Sequence, residues 1–298
     1  MRVLVGTSQR VAGSSASLAR WEPRFRYTLA YMRTERLEPV FAQLKARGEA
    51  ALIAYITAGD PSLERLPDIL SLLHDSGVDI AEVGFPFSDP LADGPVIQAA
   101  MHRALQNGTT LPRVLETVAQ IRSQLPMPLI AFTYYNPVQR YGLERFARDA
   151  VQAGFTACLM TDLPPDEADE WLHYARQYAL QPIFLLTPTS TTARIRLAAE
   201  RGQGFLYCVS RTGVTGARDQ LPPDLPDLVA RIREQTSLPI AVGFGVSKPD
   251  HVRQIAQFAD GAVVGSQLVR FLHEFADSPH WQTAIGEYLR GLKSAARR

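Results

Sequence analysis

The stretch ALIAYITAGDPSLERLPDILSLLHDSGVDIAEVGF, residues 51–85, contains two short apolar runs separated by a segment whose leucines have helical spacing. Short runs rich in β-branched residues predict buried strands, and apolar residues three and four apart predict an amphipathic helix. Strands that alternate with helices indicate a parallel sheet buried on both faces. The stretch therefore predicts one βαβ unit.

The same unit recurs to the end of the chain. Eight strand candidates occur, with the sequences ALIAYITAG, DIAEVGF, PLIAFTYY, ACLMTD, PIFLLTP, FLYCVS, PIAVGFG and GAVVGS. Eight units in about 250 residues predict an α/β fold, a closed (β/α)8 TIM barrel in a single domain with a short extra N-terminal helix. In such a barrel the chemistry lies at the carboxyl ends of the strands and in the loops that follow them.

An open, doubly wound sheet is the competing interpretation. Its dinucleotide fingerprint would place several glycines after the first strand, but the segment ITAGDPSLE contains one. That segment is instead interpreted as a helix start, with Asp60 as N-cap and Pro61 as the first helical residue. The barrel is therefore favoured.

The composition excludes several classes of function. A net charge of +1 over 298 residues gives no electrostatic reason to expect nucleic acid or an anionic membrane as partner. No apolar run approaches the length that spans a bilayer. Cys158 and Cys208 lie in apolar runs and are interpreted as buried free thiols, and the six histidines show no metal-ligand spacing.

Residues 1–31 differ from the rest of the chain. Five arginines face one acid, Glu22, with serines between them. The segment is interpreted as a disordered extension: either an organelle transit peptide or an over-extended reading frame with Met32 as the natural start. We expect the barrel to occupy residues 32–298 and the protein to be cytoplasmic, or in an organelle if residues 1–31 are a transit peptide.

The last two units end in glycines. Gly243, Gly245 and Gly265 leave the backbone unshielded, and Ser266 follows where the last helix is predicted to begin. Exposed N–H groups and a helix N-terminus at this corner of a barrel are typical of a phosphate site. The alternative is that the glycines only allow tight turns.

Two acids in the second unit are candidates for proton chemistry. Glu82 interrupts an apolar strand, so its side chain faces either the barrel interior or the helix layer, and partial burial there would raise its pKa. It is either a residue that gives and takes protons or a salt-bridged structural glutamate. Asp93 follows in the loop PLADGP, where an aspartate before glycine is also a common turn residue.

The chain resembles the tryptophan synthase alpha subunit family in several motifs. The run AEVGFPFSDPLADGPVIQAA is the longest, and ITAGDPS, TYYNPV, TDLPPDEA, SRTGVTGA and VGFGVS follow the family order. The resemblance extends from about Leu37 to the C-terminus and implies a (β/α)8 lyase that splits indole-3-glycerol phosphate into indole and glyceraldehyde 3-phosphate. This retro-aldol reaction needs no metal, Schiff base or cofactor in this chain.

The resemblance also implies roles for individual residues. Glu82 would protonate the indole ring at carbon 3 and take the proton of the hydroxyl next to the breaking bond, Asp93 would hold the indole N–H, and Tyr207 matches an active-site tyrosine. The implied phosphate site comprises Gly216, Gly243, Gly245, Gly265 and Ser266. The implied indole pocket comprises Tyr55, Phe132 and Tyr134, and Arg211 and Thr215 belong to a closing loop.

A partner is implied as well. The family works in an α2β2 heterotetramer with a pyridoxal-phosphate-dependent β subunit that receives the indole. Ser88, Asp89, Pro90 and Asn136 would face this partner, although Asp89 also fits a plain solvated turn. The alternatives are a stand-alone lyase of the same chemistry, a catalytically silent activator of the β subunit, and another phosphosugar barrel such as an isomerase.

Two departures from the family pattern stand out. Phe85 replaces a more common aliphatic residue, and we expect it to reshape the floor near Glu82. Tyr55 replaces a common phenylalanine and adds a hydroxyl to the implied indole pocket.

Overall fold

The strands form a closed parallel barrel. The computed structural model describes residues 36–209, 220–243 and 245–298. Its strands are β1 (Ala51–Thr57), β2 (Ile80–Gly84), β3 (Leu129–Thr133), β4 (Ala157–Met160), β5 (Gln181–Ile183), β6 (Leu185–Leu186), β7 (Leu206–Val209), β8 (Ile240–Gly243) and β9 (Gly261–Val264). Their order in the sheet is β5-β4-β3-β2-β1-β9-β8-β7-β6, and every described pairing is parallel.

The fifth barrel strand is interrupted. Phe184 alone separates β5, which pairs with β4, from β6, which pairs with β7. The two segments therefore act as one strand that closes the ring, and the predicted (β/α)8 barrel is confirmed.

Helices cover the outside of the barrel. The described part of the chain contains α1 (Leu37–Ala46), α2 (Leu66–Asp75), α3 (Pro95–Gln106), α4 (Leu111–Ile121), α5 (Tyr135–Tyr141), α6 (Leu143–Ala153), α7 (Asp169–Gln177), α8 (Thr192–Arg201), α9 (Leu225–Arg233), α10 (Pro249–Ala256), α11 (Ser266–Glu274) and α12 (Trp281–Ser294). Both α3 and α4 lie between β2 and β3, so the second unit has one more helix than a minimal βα repeat.

The strands separate two apolar layers. Successive residues of a strand point to opposite faces. On β1, Ile56 therefore belongs to the outer layer under the helices, while Tyr55 points into the barrel. On β2, Ile80 points inward and Val83 outward. Glu82, two positions after Ile80, consequently points into the barrel.

Phe85 lies in the outer layer. Its ring packs against Phe146 and Phe155, with centroid distances of 5.9 and 5.6 Å. The expectation that Phe85 reshapes the floor near Glu82 is therefore wrong. The two residues are an odd number of positions apart along extended backbone, so their side chains point to opposite faces.

Asp60 does not cap a helix. Its buried carboxylate accepts two hydrogen bonds of 2.8 Å from the Arg103 guanidinium on α3. The chain after β1 instead forms a short 3-10 turn, Leu63–Arg65, that leads into α2. The predicted N-cap at Asp60 and helix start at Pro61 are wrong, because the carboxylate joins the loop after β1 to α3.

Helix α1 covers the amino end of the barrel and confirms the predicted extra N-terminal helix. Leu37, Phe41 and Leu44 pack into the inner apolar layer. Gln181, the first residue of β5, accepts a 2.9 Å hydrogen bond from the Leu37 N–H and donates one of 2.8 Å to Glu38. These contacts fix α1 across the floor of the barrel.

Helix α12 is tied to the same end. The Lys293 ammonium lies 2.8 Å from an Asp79 oxygen and 3.2 Å from a Glu49 oxygen. Glu49 and Asp79 precede β1 and β2, so the ion pairs hold α12 against the first two strands.

Further predictions concern the cysteines, membrane-spanning segments and metal-binding side chains. Both cysteines are buried free thiols, as predicted. Within the described ranges, no helix combines the length and apolar character needed to cross a bilayer, and no group of three or more His, Cys, Asp or Glu side chains could hold a metal ion. The predicted extension, residues 1–31, lies outside the described residues.

Candidate active site

A cavity of about 430 Å³ opens at the carboxyl ends of the strands. Its lining brings together eight residues singled out from the sequence: Tyr55, Glu82, Asp93, Phe132, Tyr207, Gly245, Gly265 and Ser266. Residues separated by more than 200 positions in the chain therefore meet in one site.

Glu82 stands inside this cavity on β2, beside Tyr55 of β1. The side chain is fully buried, and neither carboxylate oxygen has a hydrogen-bond partner among the described residues. Burial raises the pKa of the Glu82 carboxyl from its ordinary value of 4.5 to about 8. The salt-bridged structural alternative does not fit this geometry, because no cation or donor in the described chain compensates the charge.

Asp93 enters the cavity from the loop after β2. Its backbone N–H donates to Pro90 O at 3.0 Å, and Gln98 on α3 donates to Asp93 O at 2.8 Å, so the residue is held at both its amide and its carbonyl. Burial raises the pKa of the Asp93 carboxyl to about 6, although a hydrogen bond from Tyr134 lowers it. The loop is thus a built support for a carboxylate.

Tyr134 holds Asp93 and is not part of the cavity lining. Its hydroxyl donates a 2.6 Å hydrogen bond to Asp93 Oδ2 and accepts one of 3.1 Å from the Ala92 N–H. Its ring packs against Phe87 at 5.2 Å. The structure therefore places this implied indole-pocket residue behind the carboxylate, where it orients the Asp93 side chain.

Two tyrosines lie over glycines of the neighbouring strand. A Cβ atom on Gly84 would lie 2.2 Å from the Tyr55 hydroxyl, and one on Gly243 would lie 2.1 Å from the Tyr207 hydroxyl. In both pairs the glycine is two positions beyond the register partner of the tyrosine. Gly243 does not line the cavity, so the space required by Tyr207 explains a glycine there.

The candidate anion site follows β8 and β9, on the other side of β1 from Glu82. Ser266 begins α11, as predicted, and Gly265 precedes it directly. Gly245 has a φ of +95°, a conformation that favours glycine. These three residues line the cavity, and the backbone N–H groups in the first turn of α11 are of the kind that bind anions.

Three lining residues were missed from the sequence: Ile97, Val246 and Val263. All are apolar and complete the wall between the polar groups. Val263 could have been found from strand alternation, since it is two positions before Gly265 on the same face. Ile97 could not, because it depends on how α3 is placed over the cavity.

The loop after β2 also has an exposed side. Ser88 and Asp89 are exposed, with a 2.6 Å hydrogen bond from the Ser88 hydroxyl to Asp89, and Pro90 is half-buried. Leu91, which the sequence did not single out, is 85% exposed. Asn136 is exposed in the first turn of α5. Arg211, Thr215 and Gly216 lie outside the described residues.

Comparison with known proteins assigns the family. Residues 41–297 match the family model described as tryptophan synthase alpha chain. The tryptophan synthase alpha chain of Geotalea uraniireducens is 48% identical over 262 residues, which cover 88% of this chain and 98% of that one. That of Geobacter sulfurreducens is 49% identical over 240 residues, covering 80% and 91%.

Solved structures agree with this assignment. A chain in a structure of Mycobacterium tuberculosis tryptophan synthase superposes with a TM-score of 0.81 at 39% identity, covering 88% of this chain and 98% of that chain. The tryptophan synthase alpha subunit of Legionella pneumophila superposes with a TM-score of 0.79 at 36% identity, again over 88% and 98%. With the family model matching most of the sequence, this chain belongs to the tryptophan synthase alpha chain family, whose members are lyases that cleave indole-3-glycerol phosphate.

Proposed function

We propose that this cavity cleaves indole-3-glycerol phosphate with Glu82 as both the proton donor and the proton acceptor. The observation that carries the proposal is the isolation of the Glu82 carboxyl, which is fully buried in the cavity without a partner among the described residues. A carboxyl with a pKa of about 8 is largely protonated at neutral pH. It can therefore begin the reaction as an acid and continue as a base.

The proton movements balance on this one residue. Glu82 protonates carbon 3 of the indole ring, which makes the ring an electron-accepting indoleninium. The resulting carboxylate takes the proton from the hydroxyl next to the breaking bond. The carbon–carbon bond then breaks, its electron pair returns to the ring, and indole and glyceraldehyde 3-phosphate are released with Glu82 protonated again.

Asp93 has the complementary role in the proposal. With a pKa of about 6 it is mostly ionised at neutral pH, so it can accept a hydrogen bond from the indole N–H. Its negative charge then stabilises the positive charge that the ring gains on protonation. The hydrogen bond from Tyr134 supports this state, because it favours the ionised carboxylate.

The remaining lining residues would position the substrate. Tyr55 and Phe132, whose rings meet edge to face at 4.9 Å, would hold the indole ring, and Tyr207 would complete that wall. Gly245, Gly265 and Ser266 would bind the phosphate at the N-terminus of α11. Gly216 would join this phosphate site, and Arg211 and Thr215 would close over the substrate; these roles stay predictions.

The proposal includes a partner. One exposed surface of this chain would face a pyridoxal-phosphate-dependent β subunit that takes up the indole. This surface comprises Ser88, Asp89, Pro90, Leu91 and Asn136. Support comes from Leu91, a large apolar side chain that is 85% exposed on the loop that also carries Asp93. The proposal assigns pyridoxal phosphate to that partner and no cofactor to this chain. The α2β2 assembly, the cytoplasmic location and a barrel boundary at residue 32 stay predictions.

Indole release from indole-3-glycerol phosphate, measured with and without an added β subunit, tests the proposal. Weak release that the β subunit increases supports the lyase in its complex. Strong release by the chain alone would instead identify a stand-alone lyase. No release under either condition would contradict the proposed chemistry and leave the silent activator.

A further inference from the structure

The anion half of the cavity is held from outside the barrel by Tyr288 of α12. Its hydroxyl donates a 2.9 Å hydrogen bond to the carbonyl oxygen of Ser247, in the loop after β8. That loop places Gly245 and Val246 in the cavity wall. Burial raises the pKa of Tyr288, so the hydroxyl keeps its proton throughout the working pH range.

The other backbone group of Ser247 is held as well. Its N–H donates a 3.3 Å hydrogen bond to Nδ1 of His251, a buried residue of α10. A loop residue bonded at both its amide and its carbonyl has little freedom to rotate its peptide groups. The position of Gly245, two residues earlier, therefore depends on these two bonds.

The ring of Tyr288 contacts the helix that begins at the anion site. It meets the ring of Phe271 on α11 with a centroid distance of 5.0 Å and an interplanar angle of 74°. Helix α11 begins at Ser266, which lines the cavity. One side chain thus contacts both elements whose backbone would bind the phosphate: the loop after β8 through its hydroxyl and α11 through its ring.

The helix that carries Tyr288 is itself fixed. Lys293, five positions later on α12, forms its ion pairs with Asp79 and Glu49 at the amino ends of β1 and β2. Tyr288 therefore acts from a support tied to the barrel at a second place.

We propose that Tyr288 is a positioning residue for the phosphate group of the substrate: it sets the distance between the Gly245 loop and the N-terminus of α11. The inference rests on the proposed function, because it assumes that the phosphate binds between these two elements. It concerns phosphate affinity, since the contacts of Tyr288 described above are to Ser247 and Phe271 and not to the proposed indole wall of Tyr55, Phe132 and Tyr207.

The test is the Tyr288→Phe variant, which keeps the ring and removes the hydroxyl. Binding of glycerol 3-phosphate and of indole is measured separately by calorimetry. Losing one hydrogen bond should raise the Kd for glycerol 3-phosphate about three- to tenfold, while the Kd for indole stays within about twofold. In turnover, KM for indole-3-glycerol phosphate should rise by a similar factor with little change in kcat.

Tyr178→Phe is the matched control, since it removes a tyrosine hydroxyl that donates to Glu144 away from the cavity. Equal weakening of both ligands in Tyr288→Phe would indicate general loosening and overturn the inference. If Tyr288→Phe binds glycerol 3-phosphate as tightly as Tyr178→Phe does, the inference is also overturned. That outcome would leave the proposed function intact. If the wild-type protein binds indole but no glycerol 3-phosphate, the proposed phosphate site itself fails, and the inference with it.

Discussion

The Tyr134 hydroxyl donates a 2.6 Å hydrogen bond to Asp93 Oδ2, so the end of β3 fixes a carboxylate that belongs to the loop after β2. Burial raises the pKa of both carboxyl groups of the cavity, and this hydrogen bond lowers that of Asp93. Asp93 has a pKa of about 6 and Glu82 of about 8. At pH 7 Asp93 is mostly ionised and Glu82 is mostly protonated. The site therefore holds one anion and one proton donor, as the proposed reaction requires.

Replacing Tyr134 by phenylalanine should make Asp93 a weaker acid. The hydrogen bond lowers the pKa of Asp93, so its loss should move that pKa above about 6. Because the ionised form is the one that accepts the indole N–H, the acid limb of the pH profile of kcat/KM should shift to higher pH. Tyr141→Phe, which removes a hydroxyl bonded to Asp149, should leave the limb in place. If the acid limb of the Tyr134→Phe profile does not shift, the ionisation of Asp93 does not control kcat/KM.

Replacing Glu82 by glutamine should abolish proton transfer. We expect kcat for indole release to fall by about 10² to 10⁴-fold, the usual contribution of a positioned acid or base. Binding of indole-3-glycerol phosphate should persist, because the amide keeps the size of the side chain. Glu116→Gln, an exposed change on α4, serves as control in the same assay. Wild-type rates in Glu82→Gln would remove Glu82 from the mechanism.

The same variant should flatten the pH dependence of stability. The Glu82 carboxyl titrates near 4.5 in the unfolded chain and near 8 in the native protein. The native state therefore holds a proton that the unfolded chain has lost, and this group makes the free energy of unfolding fall as pH rises from about 4.5 to 8. In Glu82→Gln that decline is absent, so the stability of the variant relative to wild type should increase from pH 5 to pH 8. Urea unfolding at several pH values measures the difference; a constant difference would show that the native carboxyl titrates normally.

Adding one methyl group at Gly243 should displace Tyr207. The new Cβ would lie 2.1 Å from the tyrosine hydroxyl and 2.5 Å from the ring carbon that bears it, far inside contact distance. Overpacking of this kind costs about 1–3 kcal/mol of unfolding free energy, measurable by urea denaturation. Gly291→Ala makes the contrast: on α12 its Cβ would meet nothing closer than Pro249 at 3.9 Å, so the variant should be slightly more stable than wild type. Equal stability of the two variants would contradict the packing described for Tyr207.

Leu91→Asp should weaken binding of the β subunit without destabilising the barrel. The side chain is 85% exposed, so its loss affects little packing in the isolated chain. We expect the Kd for the β subunit to rise at least about tenfold, since a charge buried without a pair is costly. Gln282→Asp on α12 introduces the same charge at another exposed position and should bind normally. Unchanged affinity in Leu91→Asp would place the partner elsewhere.

Much of the fold could be predicted because each βα unit repeats the same apolar pattern. What the pattern does not contain is the face to which a residue points, since strands of a buried parallel sheet are apolar on both sides. Phe85 was expected near Glu82 for this reason. The interruption at Phe184 is also invisible in the run PIFLLTP, because it arises from the hydrogen bonds that β5 and β6 make with different neighbours. The buried pair of Asp60 with Arg103 depends on a contact 43 positions away.

In the candidate site, strand-end residues were the predictable part. Glycines before a predicted helix, together with the predicted barrel, indicate Gly265 and Ser266 as cavity residues. The residues alone leave Glu82 open between structure and chemistry, the resemblance to a family favours chemistry, and burial without a partner among the described residues adds a physical reason. Tyr134 shows the limit: the resemblance implies a place in the indole pocket, whereas its hydrogen bond to Asp93 follows from the path of the loop between β2 and α3.

Helix α1, which covers the floor of the barrel, affects how ligands reach the cavity. Leu37, Phe41 and Leu44 fill the amino end of the barrel, and the cavity lies at the other end, among residues at the strand ends. The strand-end side is therefore the doorway to this cavity for substrate and products. Leu91 stands on the loop beside that doorway, so a partner seated there would be placed at the exit that indole has to use.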